Sequence, residues 1–446
     1  MESLFIMSPT GEVLIERHFR AKAIASRSTT CEFYWNEVNK ADGILQDVPP
    51  ILQVCKNGNQ IYVISIQRDN ISYLVACLGE ISPLLVIEFL HRVASIFAEY
   101  FGSPCDENAI KDNFSTAYQL LEEMVDNGWP LTTEPNSLKA MIRPPSLVAK
   151  LEQVVMGSTS RSNAVVAETL PNGTVSNMPW RKAGVKYSHN EIYIDIIEEV
   201  DAIVDVNGRI ISSDVSGSIQ AQSHLSGVPD LMLTFKDPDV IDDCSFHPCV
   251  RYNRYEHDRV ISFVPADGNF ELMRYRVRNG SQLVNPPIFC TPQFNFGDYN
   301  GSSGGAVDGS LSVTIGMKPI SSLIKTSGSF SVENVVVTIP FPKVIRTANL
   351  TANLGKVLYD ESAKTAKWTI GKLDERKKMV LTGTMILTKD GKRPEENPPL
   401  QLDWKIPLAS VSGLAVSGLS LTGESYRPYK GVRTITKSGR YQVRCN

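Results

Sequence analysis

The residues of this 446-residue chain that could carry chemistry are six histidines, eight cysteines and a few neighbouring carboxylates. The histidines are His18, His91, His189, His224, His247 and His257, and none stands in an HExxH pattern. Cys244, His247 and Cys249 are metal-capable and close in sequence. A tetrahedral site needs a further ligand and no second cluster supplies one, so the stretch reads as a buried strand segment. Gly301-Ser302-Ser303-Gly304-Gly305 is glycine-rich, but no Gly-Lys-Ser/Thr follows and no helix is predicted after it. Phosphate binding needs backbone N–H groups at a helix start, so this reads as a loop tip. Glu198-Glu199 and Asp242-Asp243 are adjacent in strand-like contexts, where neighbours point to opposite faces and cannot act as one acid–base pair. Each is expected to be a solvated charge. With GxSxG also absent, the sequence predicts a chain that is not an enzyme and uses no cofactor or metal.

The totals agree. The length calls for more than one domain, and 42% hydrophobic with 21% charged residues is the balance of a soluble globular protein. A net charge of −3 gives no whole-molecule attraction to nucleic acid. The first residues, Met1 to Ser8, hold only a short apolar run with no positive residue ahead of it, so no signal peptide is expected. The most apolar stretch, Leu84 to Leu90, is broken by Glu88, so no bilayer span is expected either. These features predict a cytosolic protein whose cysteines (31, 55, 77, 105, 244, 249, 290 and 445) are reduced thiols, mostly buried.

Periodicity divides the chain into three parts. Residues 1–145 read as a small α+β domain. A hairpin is expected around Thr10-Gly11, a helix from near Cys31, and strands over Ile51 to Val54, Ile61 to Ile66 and Ile71 to Ala76. One helix is predicted from Pro83, with Val86, Phe89, Leu90, Val93, Phe97 and Tyr100 on one stripe. A second is predicted from Asp106 to Gly128, with Ile110, Phe114, Ala117, Tyr118, Leu121 and Val125 aligned. No pocket is expected in this module. Residues 146–179 are polar and turn-rich, and read as a flexible linker with a short helix around Leu147 to Met156. Residues 180–446 alternate apolar and polar positions between turns, as in Ile192 to Ile197, Ala202 to Asp205, Asn207-Gly208 and Arg209 to Ile219. Further runs, including Leu231 to Phe235 and Gln401 to Ile406, extend an all-β, elongated two-part sandwich.

Several runs carry a family resemblance. The helix segments Leu84 to Arg92 and Leu120 to Gly128 resemble those of the longin-like N-terminal domain of adaptor-complex medium (mu) chains. Pro179-Trp180-Arg181-Lys182-Ala183-Gly184-Val185-Lys186-Tyr187 is similar to the opening of the mu homology domain. Leu225 to Asp230, Phe246-His247-Pro248-Cys249, Pro265 to Phe270 and Ser438-Gly439-Arg440-Tyr441 continue and close it. Asp242 to Cys249 and Pro394 to Pro398 most resemble the branch of the third adaptor complex.

The resemblance implies a vesicle-coat subunit that recognises Tyr-x-x-Φ signals (Φ a bulky apolar residue) in the cytosolic tails of membrane cargo. It implies strand addition, with pockets for alternate side chains. On the matching positions, Tyr193, Asp195 and Arg433 would form the tyrosine pocket, and Ile194, Val416, Leu419 and Val432 the Φ pocket. Two positions depart from the family pattern: a lysine is replaced by Gln222 and a tryptophan by Gly431, which predicts weak binding or an altered motif preference. The plain alternative for the aliphatic positions is ordinary core, whereas Asp195 among isoleucines needs a partner. The resemblance further implies two large adaptin chains and one small sigma chain as partners, recruitment by an Arf-family GTPase, and peripheral contact with Golgi and endosomal membranes and coated vesicles. Traffic toward lysosome or vacuole would follow. The six basic residues Arg427, Lys430, Arg433, Lys437, Arg440 and Arg444 read equally as a lipid-facing patch or a solvated edge strand. The rival function is a purely structural coat subunit, like the delta chain of coatomer, that binds no tyrosine signal.

Overall fold

In the computed structural model the described residues are 1–20, 26–41, 45–56, 58–79, 81–145, 178–181, 184–278, 286–296, 308–318, 331–373, 378–387 and 397–445. The expected linker helix, the Gly301 to Gly305 tip and Pro394 to Glu396 lie outside them. The chain divides into two compact units, Met1–Ala183 and Gly184–Asn446.

In the first unit, strands β1 (Ser3–Met7), β2 (Val13–His18), β3 (Ile51–Lys56), β4 (Asn59–Arg68) and β5 (Ile71–Leu78) form an antiparallel sheet ordered β2-β1-β5-β4-β3. Asp69 and Asn70, both at positive φ, make the tight turn between β4 and β5, a backbone region these two residue types tolerate. Helix α1 (Phe33–Lys40) covers one face through Tyr34 and Val38. The other face carries α2 (Pro83–Phe101), α3 (Glu107–Asp112) and α4 (Phe114–Met124), so helices lie on both sides. The α2 stripe is buried as its 3.6-residue period requires.

The helix predicted to run from Asp106 to Gly128 is in fact two. Asp106 caps α3 by accepting from the Ala109 N–H at 2.8 Å. At Asn113 the backbone leaves the helical region while the side-chain amide donates to the Ala109 carbonyl. The break resets the helical phase, so Phe114 is 60% exposed instead of lying on the stripe. Val125-Asp126 (β6) then turns back onto Trp129-Pro130 (β7), ahead of the short helix α5 (Pro135–Met141). The expectation of no pocket also fails. An apolar recess of about 470 Å3 lies between β3, β4 and the start of α2, lined by Ile51, Tyr62, Ile64, Ile81, Ser82 and Pro83.

The second unit is β-rich. Its strands are β8 (Glu191–Val204), β9 (Ile210–His224), β10 (Asp230–Phe235), β11 (Ile241–Phe246), β12 (Ile261–Phe263) and β13 (Gly268–Val277). There follow β14 (Ile288–Phe296), β15 (Asp308–Met317), β16 (Glu333–Pro340), β17 (Ile345–Ala352), β18 (Lys356–Asp360), β19 (Thr365–Gly371) and β20 (Met379–Leu387). The last are β21 (Leu400–Pro407), β22 (Val416–Thr422) and β23 (Tyr429–Val443). Among the described residues they form sheets ordered β11-β13-β9-β8-β23-β21-β16-β19-β18, β12-β10-β22 and β14-β15-β20-β17, a two-part sandwich. A short helix α6 (Tyr252–Asp258), which the strand pattern does not predict, precedes β12.

Strands β8 and β9 are longer than expected. The two separate runs at Ile192 and Ala202 are one continuous strand, and Asp205 to Arg209 close the hairpin. Along β8 the even-numbered residues Ile192, Ile194, Ile196, Glu198 and Val200 are fully buried, and the odd-numbered ones from Glu191 to Glu199 are half-buried. Burying such aliphatic side chains contributes about 1.5–3 kcal/mol each. Glu198 is thus not the solvated charge the sequence suggested, because it falls in the apolar row. Glu199, on the opposite face, pairs with Lys437 at 2.5 Å.

No described helix is long and apolar enough to cross a membrane. No described group of three or more histidine, cysteine or acidic residues is placed to hold a metal. His247 instead accepts the Cys249 N–H at 3.1 Å. All eight cysteines are free thiols. Burial pushes Cys31 up to about 12 and Cys77 and Cys105 to about 11, and raises Cys290 as well. A raised value lowers the thiolate fraction at neutral pH. Maleimide labelling of the native chain, read by mass spectrometry, is therefore expected to modify exposed Cys55 first, and these four only after unfolding.

Candidate functional site

The site residues are positioned by β8 and β23, the first and last strands of the second unit, which pair in parallel. The register sets Tyr193 beside Gly431, Ile194 beside Val432 and Asp195 beside Arg433. On its other side β8 pairs with β9, placing Gln222 next to Tyr193 and Gln220 next to Asp195. Two rows therefore cross the half-exposed face of the sheet: Gln222, Tyr193 and Gly431, then Gln220, Asp195 and Arg433.

Arg433 grips Asp195 side-on. Its Nε donates to Oδ1 at 2.8 Å, and a terminal nitrogen donates to Oδ2. The bond to Asp195 holds the guanidinium above its already high ordinary range. The carboxylate keeps lone pairs for a further donor, because each oxygen accepts more than one hydrogen. The Asp195 side chain retains 25% of its exposure.

Tyr193 donates to Glu191 Oε2 at 3.1 Å, and that bond raises its phenol. Its ring packs 5.7 Å from that of Tyr429. The ring also lies over Gly431: a Cβ there would come within 2.6 Å of Tyr193 Cδ1. The missing side chain at 431 is the space the tyrosine occupies. Tyr429 and Glu191 were not singled out by sequence reasoning, although both flank residues that were.

The four aliphatic positions divide. Ile194 is fully buried, on the inner face of β8. Val432 is 44% exposed at the same register. Val416 and Leu419 would point to opposite faces of a regular strand, three residues apart. A bulge at this point of β22 pairs Val416 with Phe235 and Leu419 with Leu233, so both take the core-facing side. Lys430 ties the two strands together, its Nζ donating to the Leu419 carbonyl at 2.7 Å.

Strand β23 has an open edge. Pairing with β21 begins only at Ile435. The Tyr429 N–H donates to the Asn190 carbonyl, on the β8 side. Alternation then aims the main-chain groups of Lys430, Val432 and Thr434 at the other edge, where no described strand pairs with them. The basic character of β23 is partly cancelled, since Arg433 and Lys437 each meet an acid on β8.

The model of the adaptor complexes medium subunit family matches residues 178–445. The chain belongs to that family. It is 44% identical to the AP-3 complex subunit mu of Dictyostelium discoideum and 43% to AP-3 complex subunit mu-1 of Homo sapiens, each across the whole of both chains. A chain of a homology model of the full-length AP-3 complex in an intermediate open conformation shares its fold, with a TM-score of 0.56, 17% identity and 99% of each chain covered. This medium subunit is a vesicle-coat adaptor component and not an enzyme.

An ion pair whose guanidinium is exposed and whose carboxylate is half-buried contributes about 1 kcal/mol or less. Asp195→Asn is accordingly expected to change the urea-unfolding free energy of the full chain by less than about 1 kcal/mol. The same variant then remains folded for binding measurements.

Proposed function

We propose that this adaptor subunit reads Tyr-x-x-Φ signals in the cytosolic tails of membrane cargo, by adding the signal as a strand to the open edge of β23. The observation that carries this is the unpaired edge at Lys430, Val432 and Thr434, bordered by different chemistry on its two faces. In an added strand, positions separated by three residues point to opposite faces. A signal tyrosine facing the Asp195–Arg433 pair would therefore send its Φ residue to the other face. There Val432 is accessible and Val416 and Leu419 share one side of β22, and Ile194, buried on the inner face of β8, would be the floor. Asp195 would accept the tyrosine hydroxyl, and Tyr193 with the arginine would border the ring.

Gly431 supplies no side chain to the incoming peptide, and the loss of a large apolar contact is worth about 1–3 kcal/mol. Weak binding is the consequence, with avidity supplied by partner chains and membrane. The partners are two large adaptin chains and a small sigma chain. An Arf-family GTPase recruits the complex to Golgi and endosomal membranes and coated vesicles, for delivery to lysosome or vacuole. The likeness to AP-3 medium subunits supports this setting.

Titration of the full chain with a fluorescent Tyr-x-x-Φ peptide is expected to give micromolar or weaker affinity, with a loss of about tenfold in Asp195→Ala. N-methylation of the peptide amides that would meet the β23 edge is expected to abolish binding. Submicromolar affinity indifferent to Asp195→Ala overturns the site. Absence of binding by the chain and by the purified complex favours a purely structural coat subunit.

A further inference from the structure

One buried group stands apart from both rows. Glu198 is fully buried, with no cation among its hydrogen-bond partners, on the apolar face of β8 between Ile196 and Val200. Its Oε1 accepts from the Tyr275 hydroxyl at 3.1 Å, from Ser410 Oγ at 2.8 Å and from Ser412 Oγ. Its Oε2 accepts the Ser412 N–H at 3.1 Å. The approach of Tyr275 depends on Gly217, which lies between them in the sheet. A Cβ at 217 would come within 2.1 Å of the Tyr275 ring. Burial and the neighbouring Glu198 both push the Tyr275 phenol well upward, so it stays a donor.

Two of these four donors come from Ser412 and one from Ser410, in the connection from β21 to β22. That connection is buried at Ala409, Ser410, Val411 and Leu414. A second tie comes from β23: the Thr436 hydroxyl donates to the Ala409 carbonyl at 2.9 Å and accepts the Val411 N–H at 3.2 Å. Removing the carboxyl alone would leave the Tyr275, Ser410 and Ser412 donors without their acceptor in a buried place, which is costly. What the carboxyl adds is one fixed place for Ser410 and Ser412.

We propose that Glu198 is a positioning residue for the Φ side of the cargo groove: by holding Ser410 and Ser412 against β8 and β13, it sets where β22 presents Val416 and Leu419 to the open edge of β23. The carboxyl acts through the chain and touches no cargo, since it lies four residues, about 13 Å, down β8 from Ile194. Failure at Glu198 would loosen the apolar wall and leave the Asp195–Arg433 pair intact. The proposal rests on the cargo reading above for its function, and on the hydrogen bonds alone for its structural part.

The test uses the full chain with Glu198→Gln, Ser412→Ala and Gly217→Ala, and with Glu199→Gln as the solvent-side control. Amide hydrogen exchange over residues 409–422 is expected to speed up by about tenfold in the first three variants, with the β8–β9 hairpin unchanged in Ser412→Ala and the control silent. Peptide titrations are expected to lose discrimination between leucine and alanine at Φ by about threefold, while discrimination between tyrosine and alanine at the first position is kept. Unchanged exchange over 409–422, a uniform rise across the unit, or equal loss of both discriminations overturns the proposal. A wild-type chain that captures no peptide overturns the cargo reading alone, and the exchange arm still decides whether Glu198 positions β22. Should Glu198→Gln not fold, Ser412→Ala, which deletes one hydroxyl, is read in the same way.

Discussion

The parallel pairing of β8 with β23 is the constraint on which the rest of the second unit depends. Parallel neighbours need a crossover, and here the crossover is everything from β9 to β22. The pairing brings Asp195 and Arg433 together across 238 positions of sequence. Because β21 joins β23 only from Ile435 onward, the first residues of β23 are left open on one side. An unpaired edge is a hazard in most sheets. Under the proposed function it is the edge to which an extended peptide would add.

The two faces of β8 are built for different purposes. The half-exposed face carries Tyr193, Asp195 and Glu199, and the two acids each meet a cation on β23. The inner face is aliphatic except at Glu198, whose burial is tolerated because each oxygen is satisfied by neighbouring donors. Gly217 belongs to the same arrangement: a glycine in a strand interior weakens it, and here it admits the Tyr275 ring.

Gly431 shows how one absent side chain redistributes contacts. The Tyr193 ring occupies the volume of that side chain, packs tilted against Tyr429 and is held by Glu191. The apolar surface a tryptophan would offer at 431 is thus supplied in part by an aromatic pair from two strands, with less area in reach of a ligand.

Much of this was legible in the residues. Period-2 alternation at Ile192, Ile194 and Ile196, the Asn207-Gly208 turn and the α2 stripe follow from local geometry, which the chain cannot escape. Glu198 was legible in principle, since it continues the even-numbered apolar row, but Ile197 beside it obscured the alternation. The Asn113 break and helix α6 were not, because a side chain's choice between solvent and its own backbone is settled by packing. Asp195 declared by its neighbours that it needed a partner. Which partner, which strand edge stays open, and which side of β22 Val416 takes are set by pairings between residues far apart in sequence. Only the folded chain closes those distances.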